Sequence, residues 1–166
     1  MTLKVAFQMD PMEGLNITGD STFALMLSAQ SRGYTSYHYT ADELNYLDGR
    51  VWVTARPVTV QREAGNHFSF GAPVKIDLAD DIDAVLMRQD PPFDLGYITA
   101  THLLERITHR TLVANDPVSV RNAPEKVFVL DFAQFMPPTL VTRSLDEVRE
   151  FHKTHGEIVV KPLHGN

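Results

Sequence analysis

Cysteine is absent from the 166-residue sequence. That excludes disulfides, thiolate metal sites and a thiol nucleophile supplied by this chain. Clustered basic charge is missing as well: 15 lysines and arginines are scattered among 21 acidic residues, for a formal charge of -6. A general nucleic-acid binder needs a concentrated cationic surface to displace counter-ions, so that class is set aside and only specific anion sites remain open. No apolar run approaches the roughly 20 residues of a membrane-spanning helix, and "MTLKVAFQMD" enters a strand pattern without a long apolar leader core. No membrane association and a cytoplasmic location are therefore expected. The patterns G-x-G-x-x-G, G-x-x-x-x-G-K-[ST] and G-x-S-x-G do not occur, which removes support for a dinucleotide fingerprint, a P-loop and a serine-hydrolase elbow. Internal repeats and low-complexity stretches are also lacking.

What is present is an ordinary globular composition, 43% hydrophobic and 22% charged, in a chain long enough for one good core or for one domain and part of another. The apolar run Val5-Ala6-Phe7, closed by Asp10-Pro11, reads as a buried strand opening into the polar loop "PMEGLNITGDS". Asp20 can cap a helix carrying Phe23, Met26, Leu27 and Gln30 at helical spacing, with Gly33 at its stop. "YTSYHY" supplies a second strand. From Asp42 to Gly71 the period changes to alternation, with "LDGR" as an Asp-Gly hairpin and Gly65-Asn66 as a further turn, which predicts a small antiparallel meander.

"DAVLMRQ" is a third strand. Pro91 and Pro92 forbid helix after it, and Asp94 is placed to cap a helix with Tyr97, Ala100, Leu104 and Ile107 on one face and a Phe93–Ile98 staple at its start. "TLVAN" is a fourth short strand. The alternation of strands and helices predicts a doubly wound, mostly parallel α/β sheet over residues 1–121. Residues 122–166 follow another rhythm: a helix "EKVFVLDFAQF" with capping-box spacing at Asn122 and Glu125, a strand "TLVTR", a helix "SLDEVREFHKTHG" with a second box at Ser144 and Glu147, and a strand "EIVVK". This stretch reads as the beginning of an α+β domain.

Several residues can carry chemistry. The loop holding Asp10, Asn16, Thr18, Asp20 and Ser21 follows the first strand, at the sheet edge where such folds bind ligands, although turn formation alone also accounts for these residues. Arg88 ends a strand and enters the stiff corner Asp90-Pro-Pro-Phe-Asp94, which would hold a guanidinium reproducibly for bidentate carboxylate recognition; a surface pair with Asp90 or Asp94 is the plain alternative. Lys126 opposes the positive end of its helix, a mild sign of an anion-binding task in what is otherwise a solvated lysine. Lys161 ends an apolar strand, where a cation calls for a phosphate or carboxylate partner, and Pro162 and Gly165 beside it suggest backbone close to that ligand. His152 and His155, at i and i+3, could share a metal but have no third ligand placed with them.

In this order and spacing "QMDP", "DSTFALMLSAQSRGY", "VLMRQDPPFD", "NDPVSVRNAPEK", "TLVTR" and "VVKPLHGN" resemble the bacterial glutathione synthetases, across essentially the whole chain. The "MRxDPPFD" element is highly specific, "KPLxG" is shared more widely among ATP-grasp enzymes, and "PEK" replaces the family's usual "NEK". The resemblance implies a substrate domain of the pre-ATP-grasp type, a Rossmann-like fold, followed by an ATP-grasp domain. It implies ligation of γ-glutamylcysteine and glycine with ATP and Mg2+, through an acyl phosphate that the glycine amine attacks. Lys126 and Lys161 match the family's nucleotide-binding lysines and Arg88 an arginine on the peptide-substrate side. Asp10 and Asn16 lie in the matching substrate-side loop. The resemblance also suggests a homo-oligomer. The family's magnesium ligands are expected beyond residue 166, so the 166 residues are expected to be a fragment that does not ligate alone, with no metal ligand or confident catalytic residue of its own. Charge developing on the transferring oxygens can be met by lysines and metal without a protein nucleophile, in keeping with the missing cysteine. Two rivals are weighed. Another ATP-grasp carboxylate-amine ligase would keep the lysines, and "MRQDPPFD" argues against it. A non-catalytic doubly wound binding module, such as a receiver domain, would need a paired acidic pocket where Asp10 is followed by Pro11.

Overall fold

A computed structural model describes residues 2–163. Eight strands form one mixed sheet in the order β3-β4-β2-β1-β7-β8, with β5 and β6 both paired to β4. Four of them run parallel: β1 (Lys4–Gln8), β2 (Thr35–Tyr39), β7 (Ala84–Met87) and β8 (Leu112–Ala114). The meander comprises β3 (Leu44–Leu47), β4 (Arg50–Val60), β5 (Phe68–Phe70) and β6 (Val74–Asp77), all antiparallel to their neighbours. The expected antiparallel meander is present and is part of the same sheet. Through Tyr37↔Pro57 and His38↔Arg56 it joins β2, so a doubly wound, mostly parallel sheet does not describe the whole.

β4 shows how one strand serves two surfaces. Val51, Val53 and Ala55 are buried in one core, Val58 and Val60 in the other, so the inward parity changes across Arg56-Pro57. With a side-chain period of two, such a change sends the second half of the strand to the opposite face. Gly71 lies against the Pro57 ring, where an added Cβ would come within 3.3 Å, and its amide donates to the Pro57 carbonyl at 2.8 Å. A residue without a side chain permits that approach. The hairpin from β3 to β4 turns at Asp48 (φ 50) and Gly49 (φ 85), the two positive φ values of a type I′ turn.

The two cores lie on the two faces of β1. Val5 and Phe7 pack with Phe23, Met26 and Ala29 of helix α1 (Ser21–Ser31), while Ala6 packs with Val85, Met87 and Leu104 of helix α2 (Leu95–Glu105) and with Ile107 beyond its end. Both helices start as their sequences predict: Asp20 accepts from the Phe23 amide at 2.6 Å and Asp94 from the Tyr97 amide at 2.9 Å. Phe93, just before the cap, lies against Tyr97, with ring centroids 5.1 Å apart. Gln30 of α1 closes the end of β4, its amide donating to the Val60 carbonyl and accepting from the Val60 N–H, both at 2.9 Å.

Helix α3 (Pro117–Asn122) was not expected. Asp116 caps it and Pro117 occupies its first turn, where a missing N–H costs nothing. Arg121 ties it to α2 through Glu105 at 3.0 Å and Thr101 at 3.3 Å. Asn122 thus ends a helix and does not cap the next one. That next helix, α4 (Glu125–Phe128), begins after Pro124 without a side-chain cap and runs into a 3-10 stretch, Val129–Phe135, with a kink at Phe132.

Helix α5 (Leu145–His155) is capped by Ser144, which accepts from the Glu147 amide at 3.4 Å, and closes at Gly156 with φ 75. The expected strands at 139–143 and 157–161 do not form, and no residue given a burial class between 123 and 163 is buried. A strand needs a neighbour to take up its N–H and C=O groups, and no strand of the described residues pairs with these two segments.

Candidate functional site

The carboxyl ends of β1 and β7 and the start of α1 enclose a polar pocket of about 180 Å³, lined by Asp10, Asp20, Ser21, Thr22, Arg88 and Asp90 among others. Parallel pairing of β1 with β7 puts Gln8 opposite Met87, so the residues that follow, Asp10 and Arg88, emerge at the same edge. Arg88 is half-buried and its backbone amide continues the ladder to the Gln8 carbonyl at 2.7 Å.

The Arg88 guanidinium is held from one side. Its Nε donates to Thr22 Oγ1 at 3.1 Å and one Nη to Ser21 Oγ at 2.7 Å. It makes no ion pair with Asp90 or Asp94. Two hydroxyls orient the fork without neutralising it, leaving positive charge and further donors for a ligand anion. Asp10 accepts from the Asp90 amide at 3.0 Å and so fixes the entry to the Pro91-Pro92 corner, whose peptide bond is cis. Asp20 is committed to capping α1. The pocket therefore carries both signs of charge.

Tyr97, in the first turn of α2, belongs to this neighbourhood. Burial pushes its hydroxyl above the usual tyrosine range; the positive charge of Arg88 opposes that shift and the carboxylates of Asp90 and Asp10 add to it.

The structure brings Asp10, Asp20, Ser21 and Arg88 to one pocket and leaves Asn16, Lys126 and Lys161 outside its lining. Asn16 shapes its own loop: its side-chain oxygen accepts from the Thr18 hydroxyl at 2.7 Å and the Thr18 amide at 3.2 Å, and it does not line the pocket. Lys126 is half-buried in α4, and Lys161 lies exposed in a segment without regular secondary structure, not at the end of a strand. Neither borders the pocket. The loop containing Gly165 lies outside the described residues. His152 and His155 are exposed, and among the described residues no group of three or more histidines or carboxylates is arranged to hold a metal. Among the described residues no helix is long and apolar enough to cross a membrane.

Ser21 and Thr22 as the seat of Arg88 were not anticipated from sequence, although the strand-loop-helix order placed Ser21 near that edge. The helical spacing of Tyr97 indicates only its place on the packed face of α2.

An α/β architecture with a charged pocket at the carboxyl edge of parallel strands is the arrangement in which such folds hold small polar ligands. Comparison with known proteins narrows the class. Residues 3–121 match the model of the prokaryotic glutathione synthetase N-terminal domain, and residues 125–166 match that of the prokaryotic glutathione synthetase ATP-grasp domain. The chain belongs to the prokaryotic glutathione synthetase family. Similar curated proteins are the glutathione synthetases of Rhodopseudomonas palustris, 54% identical over 166 residues that make up all of this chain and 53% of the relative, and of Bradyrhizobium diazoefficiens, 55% identical over the same 166 residues and 52% of the relative. The glutathione synthetase of Yersinia pestis is 42% identical over 164 residues, 98% of this chain and 51% of the relative. The chain thus spans about half the length of the curated relatives it matches.

Proposed function

We propose that the whole protein is a cytoplasmic glutathione synthetase that joins γ-glutamylcysteine to glycine, with ATP forming an acyl phosphate on the dipeptide carboxylate before the glycine amine attacks. The observation that carries this reading is the Arg88 pocket: a guanidinium seated on Ser21 and Thr22, with its charge unspent, beside Asp10 in a domain of this family. A zwitterionic peptide end offers a carboxylate for Arg88 and an ammonium for the carboxylates of the same pocket. Arg88 and Asp10 are assigned to the dipeptide side, with Asn16 shaping the loop between them. Residues 1–121 form the substrate domain of this reading, and 122–166 open the ATP-grasp domain. Lys126 and Lys161 are assigned to the nucleotide phosphates, where cations stabilise charge on the transferring oxygens. The described residues do not fit a magnesium site; its ligands belong to other parts of the whole protein, which assembles as a homo-oligomer.

The test is ADP formation by the full-length protein. It should require both γ-glutamylcysteine and glycine, and turnover with a different carboxylate donor at equal rate would overturn the reading. Arg88→Lys keeps the charge and loses the fork. It should raise the KM for γ-glutamylcysteine by at least about tenfold with the KM for ATP little changed, the loss expected when a charge-assisted bidentate contact is removed. An equal rise in both constants would remove Arg88 from the dipeptide side.

A further inference from the structure

The loop that carries Asp10 is held by side chains that no part of the proposed chemistry uses. His38, in β2, is buried, and its Nε2 lies 3.1 Å from the Asp10 carbonyl oxygen. His67, just before β5, is buried, and its Nε2 lies 2.7 Å from the Met12 carbonyl oxygen. A carbonyl only accepts, so both rings donate, and each therefore carries its proton at Nε2. Arg62, in the turn between β4 and β5, adds a donor to the Ile17 carbonyl at 3.3 Å. Three consecutive points of the loop, Asp10, Met12 and Ile17, are thus gripped from β2 and the meander.

The rings are themselves fixed. His38 packs on Phe70 with centroids 5.3 Å apart, Phe70 on Phe68 at 4.9 Å, Phe68 on His67 at 4.9 Å, and His67 on Phe23 of α1 at 6.0 Å. This row runs from β2 through β5 to the helix whose first turn seats Arg88. We infer that His38 and His67 are positioning residues: by holding the Asp10 and Met12 carbonyls they set the loop that presents Asp10 to the Arg88 pocket. The antiparallel meander then has a functional purpose, to supply the far side of that clamp. The inference rests on the dipeptide-side reading of the pocket, and one arm of its test does not.

Two substitutions at each histidine separate a hydrogen-bond role from a packing role. His67→Phe keeps a ring against Phe23 and Phe68 and removes the donor. His67→Gln removes the ring and keeps a donor, since its Nε2 is as many bonds from the backbone as the histidine Nε2. In the full-length protein His67→Phe should raise the KM for γ-glutamylcysteine about tenfold with the KM for ATP within about twofold, as expected when a buried carbonyl loses its donor and the site it orders shifts. His67→Gln should recover most of the loss. Hydrogen exchange read by mass spectrometry should show faster exchange at the Gly14 and Leu15 amides in His67→Phe, with the β1 amides unchanged.

Unchanged loop exchange in His67→Phe would overturn the clamp whether or not the protein ligates, so a failure of the clamp is distinct from a failure of the proposed activity. Faster exchange with an unchanged dipeptide KM would overturn its role in the pocket, and a Gln variant worse than the Phe variant would assign the histidines to packing alone. If His67→Phe does not fold, His38→Phe and His38→Gln make the same distinction at the Asp10 carbonyl.

Discussion

Residues 3–122 and residues 123–163 use apolar side chains in opposite ways. In the first stretch Phe7, Phe23, Met26, Tyr39, Leu78, Val85 and Leu104 are fully enclosed, on both faces of a sheet that neighbouring strands complete. In the second, Phe135 is 82% exposed, Val159 84% and Leu145 72%, although α5 has its apolar residues at regular helical spacing. Local signals suffice for a capped helix in either stretch. Burial needs a partner surface, and strands need a neighbour to hydrogen-bond. The difference teaches that a helix can be drawn from its own few residues whereas a strand is a property of a pair.

The largest effects that would break or sharpen this contrast lie in the cores. Phe7→Ala should cost about 3–5 kcal/mol in urea unfolding, the usual cost of emptying an aromatic site in a close-packed interior, while Phe135→Ala should stay within about 0.5 kcal/mol. Equal losses would mean that the second stretch has a core of its own.

Smaller effects belong to the caps. Asp94→Ala should cost about 1 kcal/mol because it frees the Tyr97 amide at the start of a helix packed on the core. Ser144→Ala, which removes a longer bond at the start of a helix with no buried residue, should cost only a few tenths of that. Chemical denaturation of both variants decides it, and a larger loss at Ser144 would reverse the contrast.

The smallest effect is electrostatic and confined to the first stretch. Burial pushes the Asp77 carboxyl up, but the Arg50 guanidinium at 2.6 Å and the Ala79 and Asp80 amides outweigh it and hold the group below the ordinary aspartate range. A group with a depressed folded-state pKa stabilises the fold fully above its unfolded pKa and loses that contribution as pH falls through the folded value. Stability should therefore decline on acidification below the usual aspartate range, and less steeply in Asp77→Asn, when the two are titrated in parallel. Identical acid profiles would remove Asp77 from the account.

Much of the first stretch was legible because its signals are local. Asp20 and Asp94 cap where their sequence positions indicate, Asp48-Gly49 turns the hairpin, and Val5-Ala6-Phe7 is a buried strand. Asp10 and Arg88 could be placed at one edge because the ends of parallel strands lie together. The attachment of the meander to β2 was not legible, since pairing of Tyr37 with Pro57 is set by tertiary register. The parity change at Arg56-Pro57 is present in the spacing of Val53, Ala55, Val58 and Val60, but the alternation on either side of it masks the shift. Helix α3 was overlooked although Asp116-Pro117 is a cap followed by a first-turn proline. The grips of His38 and His67 had no signal, because a histidine beside aromatics does not reveal which distant carbonyl it meets.

The place of β1 in the sheet has a consequence for how the protein is made. β1 is made before both of its neighbours, yet it lies between β2 and β7, and its second edge is satisfied only when Ala84–Met87 arrives. While the ribosome adds the intervening residues, Val5 and Phe7 travel on a strand with an open flank, and the long sequence separation slows its closure. In that interval the open edge of β1 is a template for pairing with another chain, and the arrival of β7 covers it.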